Sequence, residues 1–259
     1  MSGFSIKGVL FDKDGTLIQF HSFWIPIAEE LTDHLLANLK VNEPESGMKR
    51  RLLQSIGLSE GKVDSKGILA GGTTADIAEA YLKVLAESGF SAEQTAGLHP
   101  WLTDEIYRLT QVHRNQLQPT ADLESVLERL ENHGLKLGIA TADDLESTLF
   151  FLNKYGVADR FHFIGTSDRY EKKPSPVMLN EFCELTGLHP SEVAIVGDTL
   201  TDMRFAQNSK AGLAIGVLSG TSEEAELAPY AGLILPSIGE LIAEDGKAAW
   251  HASADREHM

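Results

Sequence analysis

The sequence has one cysteine, Cys183, in 259 residues. A lone thiol cannot close an internal disulfide, so a cross-linked secreted framework is excluded. Nor is there a run of about 18 uninterrupted apolar residues, the length a bilayer-spanning helix needs. The opening segment, MSGFSIKGVLFD, lacks the basic start, apolar stretch and small-residue cleavage site of a secretory signal, which makes the cytoplasm the expected location. Basic residues are scarce: 22 Lys and Arg against 38 Asp and Glu leave a net charge of −16. Such a charge repels phosphate backbones and disfavours nucleic acid as a partner. Small anionic substrates are not excluded, because a metal ion and a few lysines reverse the field locally. With 42% hydrophobic and 23% charged residues the composition is that of a folded globular chain. The length suits one large domain or two modest ones, at roughly 100–200 residues each.

Short apolar runs recur along the chain. Gly8-Val9-Leu10-Phe11-Asp12 reads as a buried strand ending in an acid. From about residue 120 onward, strands and helices alternate. Leu123, Val126, Leu127 and Leu130 mark one helix face, ended by His133-Gly134, and Leu135 to Ala140 is a strand. A helix from Asp143 to about Tyr155 follows, then a short strand at Phe161–Ile164. Pro174 to Leu185 reads as a helix with proline near its start, where the missing N–H costs little. Val193–Val196 is a strand, Asp202 to Gln207 a helix, and Ala211–Val217 and Gly232–Leu235 complete the strand set. Apolar strands alternating with helices predict an α/β fold with a mostly parallel sheet covered on both faces.

Residues 20–116 have a different texture. Ile27, Leu31, His34 and Leu35 share one helix face, Ile77, Tyr81, Val84 and Leu85 another, and Leu98 to Leu117 carries Leu102, Ile106, Leu109 and Val112. Lys66 to Gly72 reads as a glycine-rich loop between helices. The expected organisation is a discontinuous α/β core (1–19 and 117–245), a helical insertion (20–116) and a flexible polar tail (246–259).

Ligands of open parallel sheets collect at the carboxyl ends of the strands. There the sequence sets Asp12-Lys13-Asp14-Gly15-Thr16, Thr141, and Gly197-Asp198 with Asp202, while Lys173 precedes the Pro174 helix. Converging carboxylates repel one another and are costly to bury without a partner. Magnesium, which takes carboxylate and carbonyl oxygens, resolves that repulsion, and a lysine neutralises phosphate charge the metal leaves uncovered.

These residues resemble the four motifs of the haloacid dehalogenase superfamily: Asp12-Lys13-Asp14-Gly15-Thr16 the first, Thr141 the second, Lys173-Pro174-Ser175-Pro176 the third, and Gly197-Asp198 with Asp202 the fourth. The likeness covers about residues 7–17 and 119–243, and the insertion resembles the cap of the phosphoglycolate phosphatase-like branch. It implies a Rossmann-like core with an inserted α-helical cap domain, and a Mg²⁺-dependent phosphatase of a small phosphorylated metabolite. By the same resemblance Asp12 is the nucleophile that forms an aspartyl-phosphate and Asp14 the acid and base. Thr141 and Lys173 bind the transferring phosphate, and Asp12, the Asp14 carbonyl, Asp198 and Asp202 hold the metal, Asp202 directly or through water. Dehalogenating relatives use neither the second acid nor magnesium, so Asp14, Asp198 and Asp202 favour phosphoryl transfer. A β-phosphoglucomutase-like mutase shares core and cap, and a phosphoester-binding regulator without turnover is the non-enzymatic alternative.

Each residue also has a plainer reading. Asp-Gly is ordinary turn chemistry. Thr141 or Asp143 could cap the following helix, and Asp202 could be a helix N-terminal acid. Lys172 fits a solvated lysine better than Lys173 does. His21 and Trp24 suit hinge packing more than substrate contact, Lys49-Arg50-Arg51 suits a solvated face, and Cys183 suits an inert core alongside Met178 and Phe182.

Overall fold

In the computed structural model, residues 5–41, 47–243 and 246–252 are described. The chain divides into two compact units, Met1–Gln19 with Gln118–Met259, and Phe20–Leu117. In chain order the first unit opens with strand β1 (Gly8–Phe11). The second unit holds helix α1 (His21–Asn38), α2 (Met48–Ser55), strands β2 (Leu58–Ser59) and β3 (Lys62–Val63), and helices α3 (Ile68–Gly71), α4 (Thr74–Glu87) and α5 (Leu98–His113). The first unit then resumes with α6 (Leu123–Asn132), β4 (Lys136–Ala140), α7 (Leu145–Lys154), β5 (Phe163–Gly165), α8 (Val177–Thr186), β6 (Val193–Gly197) and α9 (Leu200–Asn208). It closes with β7 (Leu213–Val217), α10 (Glu224–Leu227), β8 (Leu233–Leu235) and α11 (Ala249–Ala252).

Six strands form one sheet in the order β5-β4-β1-β6-β7-β8, every neighbouring pair parallel. The first strand of the sequence lies inside the sheet, which is why its residues are buried on both faces and read as a continuous apolar run. Register sets the level at which each strand hands over to its loop. Phe11 lies opposite Ile139 of β4 and Val196 of β6, so Asp12, Ala140 and Gly197 share the next level and Thr141 and Asp198 emerge just beyond. Chain polarity therefore brings the first polar residues after three apolar runs to one edge.

Helix α8 covers one face. Met178, Leu179, Phe182 and Cys183 pack with Leu10, Ala140, Phe163, Val193 and Ile195 of the sheet and Phe205 and Ala206 of α9. Full burial of a side chain such as Phe182 stabilises by about 1.5–3 kcal/mol. Cys183 sits in that cluster, and burial pushes its thiol up to about 11. Helix α6 buries all four of its periodic residues.

In the second unit α1 buries Phe23, Trp24, Ile27 and Leu31, and α4 and α5 bury Ile77, Tyr81, Leu102, Ile106 and Leu109. Thr32 and Tyr81 satisfy each other's buried hydroxyls at 2.7 Å. Trp24 is core here and His21 is exposed. Lys49 pairs with Asp33 at 2.6 Å, while Arg50 and Arg51 face solvent.

The structure corrects several details. The glycine-rich stretch expected as a loop contains α3, and the β2–β3 hairpin lies in a region read as helical. Pro174 precedes its helix, which starts at Val177. His34 sits at the edge of its helix face, paired with Glu105 at 2.5 Å. Part of the tail expected to be flexible is folded: Ala248 bridges to Ile242, and Trp250 is only 2% exposed because its ring joins the core. Residues 253–259 of that expected tail lie outside the described residues.

Candidate active site

Asp12 follows β1 directly, its amide donating to Val196 O at 2.8 Å, which carries the sheet ladder one residue past the strand. Lys173 Nζ donates to Asp12 Oδ1 and to Asp202 Oδ1, both at 2.6 Å, and is 6% exposed. Asp198, on the turn after β6, is fully buried and receives three donors: the Thr221 amide at 2.8 Å and hydroxyl at 3.1 Å on Oδ2, and the Thr16 hydroxyl at 3.4 Å on Oδ1. Carboxylate oxygens of Asp12, Asp198 and Asp202 lie within 4.8 Å of one another.

Local sequence explains how Asp202 is aimed. Thr199 and Asp202 form a capping box on α9, in which Asp202 Oδ2 accepts from the Thr199 amide (3.0 Å) and hydroxyl (2.6 Å). Its other oxygen is left for Lys173. The plain helix-terminal role and a role in the cluster are thus filled by one side chain. Thr141 stands at the end of β4, 1% exposed, its amide donating to Gly165 O at 2.9 Å. Its hydroxyl accepts from the Asp143 amide at 3.1 Å. Neither Thr141 nor Asp143 caps the next helix; Asp144 does, accepting from the Ser147 amide at 2.8 Å. Asp14 stands apart from the three-carboxylate cluster, its Oδ2 held by Lys13 at 2.8 Å.

Two glycines allow this crowding. Gly15 has φ of +88°, and a Cβ there would come 2.5 Å from Asp198 Oδ2. At Gly220 a Cβ would lie 1.9 Å from the same oxygen. Ser219 ties the two loops together by donating to Gly15 O at 2.7 Å.

Like charges about 4 Å apart repel by roughly 4 kcal/mol at an effective dielectric of 20. Around Lys173 three carboxylates outnumber one ammonium. Burial pushes Asp12 up to about 7; Lys173 opposes that rise, and Asp202 and Asp14 add to it. Burial likewise raises Asp198, with Asp12 and Asp202 adding to the rise. Burial works against the charge on Lys173, but Asp12 and Asp202 outweigh it and hold the ammonium above its ordinary range. Buried carboxylates this close, with donor oxygens and an excess of negative charge, suit a hard divalent cation that takes oxygen ligands.

The sequence-predicted residues Asp12, Lys173, Asp198 and Asp202 come together, and Asp14 and Thr141 follow strands β1 and β4 at the same sheet edge. Sequence reasoning missed Thr221, Ser219 and Gly220, which close on Asp198 and Gly15 from the loop after β7. The rule that sites gather at strand carboxyl ends pointed there, since Leu218 follows the last residue of β7. Asp143 as a buried partner of Lys13 was also missed.

A family profile for haloacid dehalogenase-like hydrolase matches residues 6–210. The chain is 31% identical over 109 residues to a phosphoglycolate phosphatase of Vibrio vulnificus, covering 42% of this chain and 47% of that protein. The match thus spans about half of that relative's length. Pyrophosphatase PpaX of Bacillus pumilus is 27% identical over 250 residues, covering 94% of this chain and 98% of that one. The crystal structure of a predicted phosphoglycolate phosphatase from Haemophilus somnus superposes with a TM-score of 0.69 at 16% identity, covering 92% and 96% of the two chains, and shares the fold. Among the described residues no helix is long and apolar enough to cross a membrane.

Proposed function

The chain belongs to the haloacid dehalogenase-like hydrolases, and we propose that it is a magnesium-dependent phosphatase acting on a small phosphorylated metabolite through an aspartyl-phosphate. The observation that carries this reading is Asp12: a buried carboxylate at a strand end, 2.6 Å from Lys173, with oxygens of Asp198 and Asp202 within 4.8 Å. A nucleophile needs its attacking oxygen held in place and its charge balanced, and this setting does both.

Asp12 attacks phosphorus, forming an O–P bond as the bond to the leaving oxygen breaks. Asp14 hands its proton to that leaving oxygen, then takes one from the water that attacks the phosphoenzyme, releasing phosphate and regenerating Asp12. Lys173 and Thr141 bind oxygens of the transferring group, where pre-placed donors stabilise crowded negative charge. Asp12, the Asp14 carbonyl, Asp198 and Asp202 would hold Mg²⁺, whose charge offsets the carboxylate repulsion and draws electrons from the phosphate. Asp202, whose oxygens are engaged with Lys173 and Thr199, would do so directly or through water.

A phosphoglycolate-like monoester is the first substrate class, supported by the relatives of that name. Pyrophosphate is the second, favoured by the likeness to PpaX along 94% of the chain. The test is phosphate release from a panel of phosphomonoesters and pyrophosphate, with Mg²⁺ and with chelator, by the unaltered chain and by Asp12→Asn. Metal-dependent release that Asp12→Asn lacks is expected. Equal turnover in chelator, or an active Asp12→Asn, overturns the reading. Conversion of a sugar phosphate to its isomer without free phosphate would assign a mutase instead.

A further inference from the structure

Lys13, between the two acids of the first motif, is one of the largest fully buried side chains of the protein, 1% exposed. Its Nζ lies 2.8 Å from Asp14 Oδ2 and 2.8 Å from Asp143 Oδ2. The Asp143 side chain is 4% exposed and that of Asp14 16%, so the triad runs from the interior out to Asp14 at its open end.

Both inner members are fixed. The Lys13 carbonyl accepts from the amides of Leu17 (2.8 Å) and Ile18 (3.0 Å). Asp143 donates its amide to Thr141 (3.1 Å), accepts the Asp144 amide on Oδ1 (2.9 Å), and accepts the Ser167 amide on its carbonyl (3.1 Å). Asp143 Oδ2 makes no hydrogen bond of ordinary geometry, so Lys13 is the ionic partner that compensates its burial.

Stability alone is a poor reason for this arrangement. A buried ionic triad carries a desolvation penalty that a well-packed apolar side chain avoids, and replacing such groups by apolar residues is often neutral or stabilising. The triad does something an apolar residue cannot: it holds one oxygen of Asp14 and so restricts the rotation of that carboxyl group. We propose that Lys13, anchored by Asp143, is a positioning residue that aims the Asp14 carboxyl at the leaving oxygen of the substrate. The inference rests on the phosphatase reading and on the role of Asp14 within it.

The reaction itself supplies a selective readout. An alkyl phosphomonoester expels an alkoxide, which needs the Asp14 proton as the P–O bond breaks. Acetyl phosphate expels acetate, which leaves without one. The later attack of water on the phosphoenzyme, in which Asp14 is the base, is common to both substrates and enters kcat, whereas kcat/KM reports the steps up to departure of the leaving group. A group that aims the acid therefore lowers kcat/KM for the first far more than for the second, whereas a merely structural group lowers both alike. In Lys13→Met, of similar length and uncharged, kcat/KM for the alkyl ester best hydrolysed by the unaltered chain should fall by about 100-fold. For acetyl phosphate kcat/KM should fall by less than about fivefold. Where Lys13→Met leaves Asp14 and Asp143 too repulsive to fold, Lys13→Met/Asp143→Asn removes one charge of each sign and permits the same comparison. A split in kcat/KM between the two substrates in either folded variant supports the proposal, and parallel losses in kcat/KM overturn it. An unaltered chain that hydrolyses neither compound overturns the phosphatase reading first, and this inference with it.

Discussion

Thr221 grips Asp198 with two donors on a single oxygen, its amide at 2.8 Å and its hydroxyl at 3.1 Å, both to Oδ2. The grip is possible because residue 220 has no side chain: a Cβ there would stand 1.9 Å from that same oxygen. Gly220→Ala should therefore displace Asp198 and weaken Mg²⁺ binding by about 10–100-fold, as disturbing the groups that orient a metal ligand does. Calorimetric titration with Mg²⁺ measures it. Thr221→Val keeps the amide bond and should cost less. Unchanged Mg²⁺ affinity in Gly220→Ala would remove Asp198 from the proposed ligand set.

Lys173 is the ammonium shared by Asp12 and Asp202. Lys173→Met leaves those carboxylates without it. Breaking a buried pair in this way destabilises by about 3–5 kcal/mol. Denaturant unfolding in chelator should show a loss of that order, and Mg²⁺ should recover part of it by supplying positive charge. Catalytic turnover should be lost in both conditions. Equal stability of Lys173→Met and the unaltered chain in chelator would argue against a charge balance that depends on this ammonium.

The raised Asp12 carries a definite sign. Its folded-state value, about 7, lies above the ordinary 3.8, so the folded state holds this proton more tightly than the unfolded chain. The stabilisation is complete below the ordinary value and is lost as pH rises through about 7. Metal-free protein should thus melt lower at pH 8 than at pH 5.5, and Asp12→Asn should flatten that trend. Because bound metal requires deprotonated ligands, Mg²⁺ should raise the melting temperature more at pH 8 than at pH 5.5. A larger effect of Mg²⁺ at the lower pH would contradict the prediction.

Glu105 has the opposite sign. Hydrogen bonds from Arg108, at 2.8 and 2.7 Å, and then His34 hold it down at about 2, against an ordinary 4.5, with burial opposing. Its contribution is present above the ordinary value and is lost as pH falls toward about 2. Glu105→Gln should make stability fall less steeply between pH 4.5 and pH 2, as read by denaturant unfolding at each pH. An unchanged slope would show that this cluster adds nothing to acid stability.

Much of the core and part of the site are legible in the sequence. A parallel sheet buried on both faces requires uninterrupted apolar strands, and the first polar residue after each run marks its carboxyl end. That physics located Asp12, Thr141 and Asp198. The helical insertion announced itself through the 3.6-residue period of Ile77, Tyr81, Val84 and Leu85, all buried in α4. Short elements escaped because they have too few residues to show a period: α3 has 4 residues and the strands of the β2–β3 hairpin 2 each. Trp250 escaped because it stands alone among alanines and a histidine, with no further large apolar residue to mark a face, and its burial depends on what it packs against.

The residue types at the strand ends follow from the order of amino acids alone, since apolar periodicity and charge are local properties of a chain. Which of them meet is settled by the way the chain folds. Thr16 reaches Asp198 across 182 residues and Ser219 reaches Gly15 across 204, and no local pattern encodes a partner at such a distance. The same holds for Lys13. As a letter it is indistinguishable from a solvated lysine, and its burial between Asp14 and Asp143 follows from the alignment of β1 beside β4, which sets a charge of one sign where two of the other sign already stand.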